Sequence, residues 1–314
     1  MPRRPTPLRA ALLGALALVA GALTSCTERA DAEADAASRP VRVVVSIPPL
    51  AGLVRELAPD AQVTLLVPPG VSEHGFEIGA AAIAATGGAD LVALNGAGLE
   101  PQVERLLKSQ GDRQGRSVIR FGDVVGVEAV GHDHGDDHDH DHDHGAVDPH
   151  LWLDPVLVER FTPALSQALM SAMLRADDQE GMRSLEARTA HLLTRVREVD
   201  QAYREQLEPF KGKGIVTQHA AFGRLADRYG LHVAATLRSA DMVEPTPAVI
   251  AEVARLARER GVKAVFTEPQ SSGMDARRLS EATGLKLLVL DPLGTGNWEE
   301  MMLTNLESLV QGLE

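Results

Sequence analysis

DDQEGMRSLEARTAHLLTRVREVDQAYREQLE, residues 177–208, is the stretch on which the fold turns. Met182, Leu185, Thr189, Leu192, Val196, Val199 and Tyr203 recur at alternating intervals of three and four, which makes one apolar stripe along a helix. Charged side chains fill the other faces and no proline interrupts the run. At about 1.5 Å per residue such a helix is about 45 Å long. The spacing also suits a coiled coil, but the stretch is short for one. The reading is a single rigid helix packed along the blocks on either side of it.

Those blocks share a different pattern. Residues 41–46, 62–67, 90–95 and 117–121 are short, β-branched runs closed by Pro or Gly, with helical stretches at 50–57 and 101–108 between them. Residues 214–217, 232–235, 264–267 and 286–290 repeat the pattern after the long helix, with helices at 222–229 and 247–260. Strands alternating with helices imply parallel sheets covered by helices. The expected fold is α/β: an N-terminal lobe over 41–176, the connecting helix over 177–208 and a C-terminal lobe over 209–314. Neither lobe carries a dinucleotide fingerprint, because Pro101 stands where Gly96 and Gly98 would need a third glycine.

Before residue 41 the chain reads as an address rather than as structure. Arg3, Arg4 and Arg9 precede an apolar run over 10–23 that is shorter than the roughly 20 residues of a membrane-spanning helix. The run ends in LTSC (23–26), so residues 1–26 read as a signal peptide with a lipobox and Cys26 as the site of lipid attachment. Cys26 is the only cysteine, which rules out an intrachain disulfide. Residues 27–40 then form a flexible tether, and the chain is expected outside the cytoplasm, in the periplasm or on the cell surface. The formal charge of −13 argues against nucleic acid as a partner. Six of those charges belong to Asp133, Asp136, Asp137, Asp139, Asp141 and Asp143 in one short stretch.

The same stretch carries six of the 11 histidines: His132, His134, His138, His140, His142 and His144. Residues 131–145 cannot build an apolar core and are expected to be a disordered loop that collects metal weakly. Three other histidines sit at strand or loop ends, where ligands belong in α/β folds. His74 follows a strand and the turn PPG (68–70), His150 lies in DPHLWLDP (148–155), and His219 follows the 214–217 strand. Asp291 ends an apolar strand, where an unpaired carboxylate would be costly. Three imidazoles and a carboxylate facing one cleft would suit four-coordinate zinc.

At these residues the chain resembles the metal-specific solute-binding proteins of ABC transporters, the zinc and manganese group. The resemblance runs from about Val41 to Leu313. It rests on PPGVSEH (68–74) with Phe76 and Glu77, ADLV (89–92), NGAGLE (95–100), DPHLWLDP, HAAFGRLADRYG (219–230), FTEPQ (266–270) and LDPL (290–293). It implies two pseudo-symmetric lobes joined by a long helix, with the metal in the cleft between them. It implies ligands at His74, His150, His219 and Asp291, with Glu73 as the alternative fourth ligand and Glu268 as a residue behind the ligands or in lobe packing. Zinc members tend to carry His at the third position and manganese members Glu, so His219 points to zinc, and imidazole suits zinc better than manganese. The chain lacks the cysteines of the disulfide that some zinc members have in the second lobe.

The expectation is therefore a monomeric, non-enzymatic zinc carrier that delivers Zn2+ to an ABC permease. The histidine tract would concentrate zinc or accept it from a metallochaperone. With ordinary imidazoles, near pKa 6.5, affinity should fall below about pH 6. Rival readings are a manganese or iron carrier of the same fold, a zinc buffer or adhesin, and a zinc hydrolase with Glu73 as base. The last lacks any His-Glu-x-x-His run.

Overall fold

The computed structural model describes residues 39–111, 115–127, 147–238 and 244–314. The expected leader with Cys26, nearly all of the tether and the 131–145 tract lie outside the described residues. The first half runs β1 (Arg42–Val45), α1 (Pro48–Leu57), β2 (Gln62–Leu65), α2 (Ala80–Gly88), β3 (Leu91–Leu94), α3 (Pro101–Gln110), β4 (Ser117–Arg120) and the short α4 (Phe121–Val125). Two long helices follow, α5 (Pro155–Ala176) and α6 (Gln179–Leu207). The second half runs β5 (Gly214–Thr217), α7 (Gly223–Arg228), β6 (His232–Thr236), α8 (Pro247–Glu259), β7 (Ala264–Thr267), α9 (Met274–Thr283), β8 (Lys286–Val289) and α10 (Trp298–Leu313).

Both sheets are parallel and share one order, β2-β1-β3-β4 in the first lobe and β6-β5-β7-β8 in the second. In each, the chain reverses its direction of travel across the sheet beside the first strand. The carboxyl ends there open a crevice, the place where α/β sheets hold ligands. The central strands are apolar on both faces because helices cover both. Val43 and Val45 of β1 point into one cluster and Val44 into another; Ile215 and Val216 of β5 divide in the same way.

One of those clusters is common to the two lobes. Val43, Leu91 and Phe121 from the first, Ile215, Phe266 and Leu309 from the second, and Leu165, Leu192 and Val196 from the long helices belong to the same continuous core. Each lobe adds a smaller outer cluster of its own, around Val92 and Val103 in the first and around Val253 and Val265 in the second. The lobes are thus two sheets fused on shared helices.

The α6 stripe is buried at Leu185, Leu192, Val196, Val199, Tyr203 and Leu207, while Met182 and Thr189 are half-buried. Asp178 caps its start by accepting from Gly181 N at 2.9 Å. α6 pairs antiparallel with α5, as the Ser166–Thr189 hydroxyl contact (2.8 Å) and the Arg197–Glu159 pair (2.6 Å) show. α5 starts at the N-cap Asp154, with Pro155 in its first turn, directly behind His150.

Contacts from α6 reach both lobes. Arg195 pairs with Glu56 of α1 at 3.0 Å and with Glu299 of α10, and the Tyr203 hydroxyl donates to Met302 O at 2.7 Å. Trp152 Nε1 donates to Pro292 O, and Trp298 Nε1 donates to Trp152 O at 2.8 Å, with both rings buried. Partly exposed ion pairs contribute about 0–1 kcal/mol. Truncating a buried Trp costs about 3–5 kcal/mol. The tryptophans and the shared core therefore outweigh Arg195 in joining the lobes.

Candidate metal centre

Four side chains converge from the two lobes. Glu73 and His74 come from the loop between β2 and α2, His150 from the segment leading into α5, and His219 from just beyond β5. Within this group His150 Nε2 lies 3.3 Å from His74 Nε2 and 3.2 Å from His219 Nε2. Glu73 Oε1 lies 3.4 Å from His150 Nε2, 3.9 Å from His74 Nε2 and 3.8 Å from His219 Nε2. The side chains of Glu73, His150 and His219 are at most 3% exposed, and that of His74 is 19% exposed.

The local chain explains the convergence. Asn95, just past β3, donates from Nδ2 to Pro149 O at 2.8 Å and so pins the His150 segment to the sheet end. Asn95 is itself fixed, because Glu100 accepts from Asn95 N at 2.8 Å and from Gly96 N at 3.0 Å. In the second lobe Thr217 donates its hydroxyl to His219 O at 2.8 Å. β5 and β7 are neighbours, so His219 and Glu268 emerge side by side. His219 Nδ1 lies 2.6 and 2.7 Å from the two Glu268 oxygens. His150 Nδ1 lies 2.7 Å from Asp148 Oδ1, which also accepts from His150 N at 3.0 Å.

Burial and mutual charge set the protonation states. Burial works to raise Glu73, but His150 opposite it and the other two imidazoles overcome that and hold it at about 2. Burial, helped by the neighbouring imidazoles, lowers His74 to about 4 against the pull of Glu73. Burial also acts to lower His150, yet Asp148 and Glu73 raise it to about 9. Asp148 is held below the usual carboxylate range because His150 and Arg224 outweigh its burial. Glu73 Oε1 is buried with no donor in hydrogen-bonding geometry and faces the three imidazoles, so its charge is balanced either by a protonated His150 or by a bound cation.

The spacing suits a small four-coordinate cation. At a zinc–nitrogen distance of about 2.0–2.1 Å, tetrahedral ligand atoms stand about 3.3–3.4 Å apart. The three edges that meet at His150 Nε2, 3.2–3.4 Å, have that length, while those from Glu73 to His74 and His219, 3.9 and 3.8 Å, are longer.

His74, His150 and His219 are thus brought together, and the carboxylate that joins them is Glu73. Asp291, preferred on sequence, lies outside the group. Its Oδ1 accepts from Gln270 Nε2 at 2.8 Å, Leu293 N at 3.0 Å and Gly294 N at 2.9 Å, and its backbone is bonded to the Asn305 amide. The strand-end carboxylate is satisfied by its own loop. Glu268 stands behind His219. Asp148 received no role from the sequence, although its place two residues before His150 was a usable signal, since Asp side chains often bond the backbone two residues on. His132, His134, His138, His140, His142 and His144 lie outside the described residues.

A family model described as zinc-uptake complex component A, periplasmic (ZnuA), matches residues 43–312. The zinc-binding lipoprotein AdcA of Streptococcus pneumoniae (strain ATCC BAA-255 / R6) is 29% identical over 308 residues, covering 92% of this chain and 58% of AdcA. The chain therefore spans little more than half the length of that relative. The high-affinity zinc uptake system protein ZnuA of Bacillus subtilis (strain 168) is 29% identical over 291 residues, covering 89% of this chain and 90% of that protein. Among solved structures, a crystal structure of ZnuA superposes with a TM-score of 0.73 at 22% identity, over 88% of this chain and all of that one. Zn(II)-bound AdcA from Streptococcus pneumoniae superposes with a TM-score of 0.69 at 26% identity, over 88% of this chain and 58% of that one.

Proposed function

The chain belongs to the periplasmic zinc-uptake complex component A family, and from that premise we propose that it captures Zn2+ outside the cytoplasm and hands it to an ABC-type permease. The observation that carries the reading is the convergence of three imidazoles and one carboxylate, four donors of the kind zinc takes. His74, His150, His219 and Glu73 are the proposed ligands, with Glu73 in the position first given to Asp291. Four protein donors leave no open coordination position for a catalytic water, so the ion is cargo and no hydrolase role is proposed.

Lipid attachment through Cys26, a monomeric state and the 1–26, 27–40, 41–176, 177–208 and 209–314 divisions are parts of the same proposal. The sequence pattern and the lipoprotein relative support the lipid attachment, and the alternation of strands and helices around the long helix supports the divisions. The histidine tract at 131–145 is proposed to gather zinc, or to take it from a metallochaperone, ahead of the cleft.

Metal content and competition titration on the mature chain lacking residues 132–144 test this reading. One tightly held zinc, favoured over manganese and lost in His219→Ala, is the expected result. No tight zinc, or a preference for manganese, would overturn it.

A further inference from the structure

The three imidazoles are not supported alike. His150 and His219 each turn Nδ1 away from the group onto a carboxylate, Asp148 at 2.7 Å and Glu268 at 2.6 and 2.7 Å. His74 has no Nδ1 partner among the described residues; only its backbone N is held, by Ser72 Oγ at 3.2 Å.

A neutral imidazole carries one proton on two nitrogens, and the hydrogen bond at one nitrogen decides which of them keeps the lone pair. A carboxylate can only accept, so Nδ1 must be the donor and Nε2 is left as the metal-binding atom. The carboxylates also fix the plane of each ring. Asp148 holds His150 twice, by ring and by backbone N, and its own carbonyl is anchored from the other lobe by Arg224 Nη2 at 3.1 Å.

Glu268 argues the point from the opposite side. It is 3% exposed, and His219 is the only hydrogen-bonding partner of its side chain among the described residues. A carboxylate kept for lobe packing alone would be costly there, and an apolar side chain of similar size would pack as well. Its presence makes sense as a partner for one ring.

We propose that Asp148 and Glu268 are positioning residues for the metal: each locks its imidazole with Nε2 facing the ion, so that His150 and His219 form a preset pair to which His74 and Glu73 are added. The proposal rests on the zinc reading above. Loss of such a partner typically weakens metal binding about 10–100-fold.

The test combines zinc competition titration of Glu268→Gln and Asp148→Asn with nitrogen-15 NMR of the histidine rings in the zinc-loaded wild type. The expected result is an affinity about 10–100-fold weaker in each variant, with the metal-free melting temperature close to that of the wild type. The wild-type spectra should show Nδ1–H and metal-bound Nε2 at both His150 and His219. Affinity within about twofold of wild type in either variant, or Nδ1 bound to zinc at either ring, overturns the proposal. If a variant does not fold, the wild-type spectra decide alone. If the wild type takes up no zinc, the zinc reading falls instead. The His219 tautomer in the metal-free protein then decides the positioning role: Nδ1–H keeps it and Nε2–H ends it.

Discussion

At the scale of single residues, the site works by making one histidine acidic and another basic. In the metal-free protein His150 carries its proton up to about pH 9, whereas His74 is already neutral above about pH 4. Zinc must displace the His150 proton at any pH below 9, so acid competes with the metal over the whole neutral range. Apparent zinc affinity should therefore fall by at least about tenfold for each pH unit from 9 downward. Unperturbed imidazoles would confine the loss to below about pH 6. Competition titrations between pH 6 and 8.5 separate the two cases, and a flat affinity across that range would contradict a raised His150. The carboxylates separate as clearly. If four ligands share roughly 10–16 kcal/mol, Glu73→Gln should cost about 3 kcal/mol, near 100-fold in affinity. Asp291→Asn should leave zinc affinity close to wild type, because its Oδ1 serves Gln270 and two backbone N–H groups. An Asp291 variant that loses zinc while Glu73→Gln keeps it would reverse the assignment.

At the scale of elements, one close approach governs how α1 meets the second lobe. A Cβ added at Gly52 would stand 2.5 Å from Gly296 O and 3.1 Å from its carbonyl carbon, both backbone atoms. Backbone cannot swing aside as a side-chain tip can, so Gly52→Ala should destabilise by about 1–3 kcal/mol as an overpacked contact. Thermal melting of the metal-free protein measures it; an unchanged midpoint would mean that the loop before α10 yields freely. The strands were legible because the strands of helix-covered parallel sheets, the central ones buried on both faces, leave short apolar runs between glycine and proline stops. All eight appear, with no edge moved by more than two residues. α6 was legible from its stripe. α5 was not, because Pro163 reads as a break, and its apolar residues face so much of the core that no single stripe stands out. α2 is an Ala- and Gly-rich helix with only Thr86 buried, so periodicity had little to mark it. The three histidines proposed as ligands were legible from strand ends and prolines. That Glu73 rather than Asp291 would join them was not, since it depends on which carboxylate already has donors around it.

At the scale of the whole molecule, the question is how far the lobes can move when metal enters or leaves. A hinged binding protein needs separate cores that part along a thin linker. Here residues of β1 and β3 share one continuous cluster with residues of β5, β7 and α10, and α5 and α6 run through it. Opening the lobes would also break the Trp152–Pro292 and Trp298–Trp152 hydrogen bonds and expose two fully buried indoles. At about 3–5 kcal/mol for each large buried aromatic, that cost rivals the 5–15 kcal/mol that holds an ordinary domain folded. On the proposed function, release of zinc is expected to draw on loop and side-chain movement around the cluster, with the lobes nearly fixed. The 66–79 loop is the part with the least to lose, since it carries His74, the most exposed of the four side chains, and half of its residues are exposed. Small-angle scattering of the chain lacking residues 132–144, metal-free and zinc-loaded, should give superimposable curves. Trp152→Phe, which removes the indole donor to Pro292 O, should increase the difference between them. A wild-type curve that contracts on zinc binding as a closing two-domain protein does would show that the shared core slides, and release would have to be assigned to the lobes.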